Sequence, residues 1–177
     1  MLFPNEGWES GDLGGWSISV YGMVTVPIDA TAARSGNYGL HQSTALGVGV
    51  YSRVTFTITD PVILAALAGK TITFKVWSWC DFIFAGSGDI NNIRQIEVGD
   101  NVGGITQALP TLPYETWQEV EVSKVIDDNP TFVFFEIYYY KAGGAHIYEI
   151  RLDDMESDPV SAIQLPTVTT DPATEVT

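Results

Sequence analysis

The stretch KTITFKVWSW, residues 70–79, decides the fold. Ile72, Phe74 and Val76 alternate with Lys75, Trp77 and Trp79, so an extended backbone sends the first set to one face and the second to the other. Working outward, TFVFFEIYYY at 131–140 repeats the pattern: Val133, Phe135, Ile137 and Tyr139 point one way, and Phe134, Glu136, Tyr138 and Tyr140 the other. Val54, Phe56 and Ile58 oppose Tyr51, Arg53 and Thr55, while Ile96 and Val98 oppose Gln95 and Glu97. With further candidate strands at 16–20, 37–43, 117–123 and 145–152, and Gly, Asn, Asp and Pro between them, the chain predicts eight or more strands. VILAALAG at 62–69, after Pro61, reads as one short helix. This inventory predicts an all-β fold, an antiparallel β-sandwich or jelly roll. GSGD at 86–89 and GGIT at 103–106 lack the lysine and the strand-to-helix context of a phosphate loop and read as turns.

The 177 residues suit one domain, which would bury roughly two thirds of its unfolded surface. Twenty-two acidic residues against 8 Lys and Arg leave a formal charge of −14, with the basic residues scattered singly. Nucleic acid, which needs clustered positive charge, is excluded, and an anionic membrane surface is disfavoured. The charge suits solubility, bound divalent cations or an uncharged partner such as a neutral sugar. Cys80 is the only cysteine and His41 and His146 the only histidines, which argues against a disulfide, a cysteine cluster and zinc. Cys80 reads as a small buried hydrophobe. The run at 62–69 is far short of the roughly 20 residues that span a bilayer. The N-terminus lacks a basic segment followed by an apolar one, so no signal peptide is expected.

The opening stretch NEGWESGDLGGWS, residues 5–17, packs two tryptophans, four glycines and three carboxylates into thirteen residues, unlike a regular helix or strand. It resembles the opening motif of the jelly-roll carbohydrate-binding modules of the cellulose- and xylan-binding group, with Trp8 where those have Phe. ARSGNYGLH at 33–41, GKTITFKVWSW at 69–79, ETWQEVEV at 115–122 and HIYEIRLDDMES at 146–157 are similar to later motifs of that family, in order. The resemblance spans about residues 4–157. It implies a structural Ca²⁺ tying the first loop to the last strand, held by Glu9, by Asp153 or Asp154, and by backbone near Ser35 and Asn37. Calcium accepts six to eight hard oxygen ligands and tolerates irregular backbone. The plainer reading is that Glu9 caps a loop and Asp153 and Asp154 form a solvated strand end.

A sugar offers flat C–H faces rimmed by hydroxyls, so its site wants exposed aromatics beside polar groups. One sheet face is expected to supply Trp77, Trp79, Tyr138 and Tyr140 for stacking, and Arg53, Gln95, Glu97 and Glu136 for hydrogen bonding. The competing reading is that a loop such as 80–92, or a neighbouring subunit, covers these rings. Glu97 and Glu136 are also the best candidates for an acid and base of glycoside hydrolysis, but no motif fixes their separation, and no catalytic role is expected. Residues 158–177, rich in Thr and Pro, read as an extended C-terminal arm outside the 1–157 domain. Ile163, Leu165 and Val168 are its apolar anchors for a neighbouring copy or a capsid surface, the alternative being that the arm folds back on its own domain. The expected function is that of a non-catalytic bacteriophage accessory protein on the virion surface, in head decoration or a fibre, with weak adhesion to neutral polysaccharide. The alternative is an extracellular carbohydrate-binding module of a secreted polysaccharide-degrading enzyme.

Overall fold

A computed structural model describes residues 8–22, 24–44, 50–81, 93–109, 115–141 and 148–158. The period-two segments form strands β1 (Ser17–Tyr21), β2 (Val24–Thr25), β3 (Ile28–Asp29), β4 (Gly39–Thr44), β5 (Val50–Ile58), β6 (Thr71–Cys80), β7 (Ile93–Asp100), β8 (Gly103–Ala108), β9 (Gln118–Val125), β10 (Val133–Lys141) and β11 (Tyr148–Asp158). They make two antiparallel sheets. The first runs β1-β5-β10-β7-β8, and the second β2-β4-β11-β6-β9, with β3 also paired to β4. The two sheets face each other as a jelly-roll sandwich.

The core lies between them. Ile72, Phe74 and Val76 of β6 are fully buried, as are Val133 and Phe135 of β10, and the Phe74 and Phe135 rings meet edge-on at 5.4 Å. Each such side chain contributes about 1.5–3 kcal/mol through its removal from water. The entry loop adds Trp8 and Trp16, both buried, with Trp16 packed on Phe56 at 5.6 Å and on Phe74 at 6.3 Å. Asp12 shapes that loop, accepting from Gly14 N at 2.8 Å and Ser10 Oγ at 2.7 Å. The expected helix is α1 (Pro61–Leu67), with Pro in its first turn and Asp60 as N-cap accepting from Val62 N and Ile63 N. Among the described residues no helix is long and apolar enough to cross a membrane.

The strand inventory omits the two-residue strands β2 and β3 and needs two further corrections. The glycine-led segment after Asp100 is strand β8, an edge strand hydrogen-bonded to β7 with Val98 opposite Ile105. The last strand does not end near Leu152 but runs to Asp158, past a register shift between Asp153 and Glu156 where Asp154 adopts a positive φ of 47°. Ile163, Leu165 and Val168 lie outside the described residues.

Candidate functional site

The outward face of the first sheet is built from alternate residues of its strands. Pairing registers set three rows across it: Tyr21, Tyr51 and Tyr140; Ser19, Arg53, Tyr138 and Gln95; and Ser17, Thr55, Glu136, Glu97 and Thr106. Tyr21 is 63% exposed and stacks on Tyr51 with centroids 5.8 Å apart and planes 14° apart. Tyr51 continues to Tyr138 at 6.5 Å, and the Arg53 guanidinium lies 5.2 Å from the Tyr138 centroid. The tyrosines and the arginine thus form one continuous surface.

Beside the rings stand two carboxyls. Glu136 is buried among its neighbours, salt-bridged from its Oε1 to Arg53 Nε at 3.1 Å and accepting from Thr55 Oγ1 at 3.3 Å. Burial pushes its carboxyl above the ordinary range, although Arg53 and Thr55 pull it back. Glu97 faces Glu136 directly across the strands; burial, and then the Glu136 charge, push its carboxyl up as well, against the pull of Arg53. Two glycines keep this end of the face flat. A Cβ at Gly104 would collide with the Glu97 carboxylate, and one at Gly99 with the Phe134 ring. Directly opposed side chains stand about 5 Å apart at Cβ, so the two carboxyls lie side by side on one face.

Trp77 and Trp79 are elsewhere. They extend from β6 on the outward face of the second sheet, so the eight expected ligand residues do not share a face: six lie on the first sheet and two on the opposite side of the sandwich. Alternation separates inside from outside within a strand but is silent about which layer the strand joins. Both indoles are stacked upon by the chain's own arginines, Arg34 at 3.7 Å from the Trp77 centroid and Arg151 at 4.1 Å from the Trp79 centroid. Around them, Lys75 pairs with Glu121 at 3.8 Å, and His41 Nδ1 meets Asp29 at 3.1 Å.

The residues expected to hold calcium do come together, at the loop over this second face. Asp153 is fully buried: its Oδ2 accepts from Arg34 N at 2.6 Å and Ser35 N at 2.9 Å, and its Oδ1 from Asp154 N at 2.8 Å. Burial raises its carboxyl despite those amides. Asp154 pairs with the Arg34 guanidinium and accepts from Ser35 Oγ at 2.5 Å. Glu9 accepts from Asn37 N at 2.8 Å, its carboxylate lying against Gly36 where a Cβ would collide. A Ca²⁺ site needs oxygens converging on a point, whereas these carboxylates meet N–H, O–H and guanidinium donors. Among the described residues no group of three or more acidic, His or Cys side chains stands ready to hold a metal. As it stands, the arrangement is a clasp closed by hydrogen bonds.

No protein-family model and no curated protein matches the chain. Solved structures do match in shape. A family 61 carbohydrate-binding module in complex with β-1,4-galactotriose superposes with a TM-score of 0.58 at 17% identity, over 86% of this chain and 94% of that one. The second xylan-binding family 22 domain of Xyn10C from Paenibacillus barcinonensis gives 0.51 at 16%, over 89% of this chain and 98% of that one. The enzymatically active domain of tailspike protein 4 from bacteriophage CBA120 gives 0.56 at 14%, over 86% of this chain but only 20% of that one. At such identities the likeness is one of fold. The chain is a jelly-roll β-sandwich of the architecture found in carbohydrate-binding modules.

Proposed function

We propose that this protein is a non-catalytic glycan-binding module whose ligand platform is the outward face of its first sheet. The tyrosine surface of Tyr21, Tyr51, Tyr138 and Tyr140, laid beside Arg53, Gln95, Glu97 and Glu136, carries the reading. Tyrosine rings present the flat apolar surface that pyranose C–H faces stack on, and the neighbouring polar groups match the hydroxyl rim. The galactotriose bound by the family 61 module and the xylan bound by the family 22 domain make β-linked neutral polysaccharides the first ligands to try. Affinity electrophoresis in gels containing soluble β-1,4-galactan or xylan tests it. The wild-type chain is expected to be retarded, and Tyr51→Ala and Tyr138→Ala to migrate freely, since losing a stacking aromatic at a hot spot removes about 1–3 kcal/mol. Free migration of the wild-type chain across a panel of neutral polysaccharides would overturn the proposal.

A second reading places such a module on a bacteriophage virion, as a decoration or fibre domain bound to a capsid protein, another virion protein or further copies of itself. Its support is the superposition on part of a phage tailspike protein. Recovery of the protein with purified phage particles tests that placement, and its absence from every particle preparation would remove it.

A further inference from the structure

Among the described residues on the platform, Arg53 is the only basic side chain, and Glu97 and Glu136 are the acids, a local charge of +1 − 2 = −1. Arg53 is already committed, its Nε held by Glu136 at 3.1 Å. We infer that the platform accepts neutral glycans and turns away anionic ones, and that Glu97 is the residue setting this selectivity. The inference rests on the glycan-binding reading above and adds discrimination against anionic ligands and the residue that sets it.

The electrostatics follow from what faces Glu97. Across the ladder on β10 stands Glu136, a second anion; beyond it on β5 is Arg53, whose Nε pairs with that anion at 3.1 Å. On the other side β8 offers only Thr106 and Gly104, neither of them charged, and Gln95 is its neighbour along β7. A uronate or sulfate brought onto the tyrosines would be a third anion in a partly desolvated patch whose one basic side chain among the described residues, Arg53, is already paired with Glu136, and like-charge juxtaposition at a binding surface selects strongly against the wrong ligand. The protein's net charge of −14 adds a long-range repulsion of the same sign. The glycine at position 104 makes the arrangement possible, because any larger residue there would displace the Glu97 carboxylate from the floor.

The experiment compares β-1,4-galactan with its sulfated derivative, and xylan with carboxymethyl-xylan, by affinity electrophoresis at pH 7 and low salt. The quantity read is the ratio of neutral to anionic affinity. Wild-type protein is expected to prefer the neutral polymer at least tenfold, and Glu97→Gln, which keeps the shape and drops the charge, to shrink that ratio by about tenfold. Glu121→Gln removes one charge from the opposite side of the sandwich and is expected to leave the ratio within about twofold. Because both platform carboxyls are held above the ordinary range, acidification should shrink the wild-type ratio for the sulfated polymer, which stays charged. Equal wild-type affinity for both members of a pair, an unchanged ratio in Glu97→Gln, or an equal shift in Glu121→Gln would overturn the inference and leave glycan binding standing. Retention of no polymer would overturn the glycan-binding reading, and this inference with it.

Discussion

Glu97 and Glu136 confront each other across a ladder where an opposite-charge or neutral pair would be more stable, and that conflict makes a stability prediction. A carboxyl raised in the folded state holds its proton more tightly there than in the unfolded chain. The penalty is therefore absent in acid and accumulates as pH rises from the ordinary value of 4.5 through the raised folded value. Glu97→Gln is expected to stabilise the protein at pH 7 by a few tenths to about 1 kcal/mol, with the gain vanishing toward pH 4. Denaturant melts at the two pH values check this; a destabilised variant, or an equal gain at both, would refute the account. Trp77 offers the complementary test. Its ring is occupied by Arg34 on the face away from the platform, so Trp77→Ala should leave glycan retention unchanged while costing stability, and a loss of retention would move the site to the second sheet. At this scale much was legible: alternation alone placed Arg53, Gln95, Glu97, Glu136, Tyr138 and Tyr140 on an outward surface. Tyr21 was missed because the strand read from 16–20 stops one residue short of it, just where β1 presents its most exposed ring.

At the scale of elements, the loop over Asp153 brings together the residues that the resemblance assigned to calcium. The order of Glu9, the Ser35 to Asn37 loop and the Asp153 and Asp154 pair was readable as one cluster. What the residues do there depends on which backbone atoms the loop turns inward, and it turns in amide hydrogens. Both Asp153 oxygens accept, so Asp153→Asn would set an amide N–H₂ against backbone N–H groups and should cost about 1–3 kcal/mol. Chelator, by the same reasoning, should leave the melting curve of the wild type unmoved. A chelator-sensitive melt restored by added Ca²⁺ would reinstate the ion. Strand β8 was illegible for another reason: GGITQA has two glycines and a lone aliphatic, too little to show a period. Asp100 accepts from Val102 N at 2.9 Å in a local turn that brings the chain back onto β7, and the pairing with β7 then makes the segment a strand. Helix α1 was legible because its signals are local, and Asp60→Ala should cost about 1 kcal/mol in thermal or denaturant melts through loss of its cap.

For the whole molecule, a period of two is blind to layer. β6 and β10 carry the same alternating signature and supply facing halves of one core, so their outer faces look away from each other, and the aromatic groups divide between the two sides. The same layering bears on the C-terminal segment. β11 lies inside the second sheet, paired to β4 on one side and to β6 on the other as far as Asp158 opposite Thr73. Among the described residues, the hydrogen-bonded partners of β11 and the buried Leu152, Met155 and Ser157 all precede residue 159. If Ile163, Leu165 and Val168 serve attachment to another chain, deleting residues 159–177 should leave the melting temperature within a few degrees of the full chain and glycan retention intact. It should also abolish self-association, or attachment to particles, in sedimentation assays. The two readouts are separable because the platform lies on the first sheet and β11 in the second. A truncated chain that unfolds would show that the segment completes the domain, and one that still assembles would place the interface on the sandwich itself.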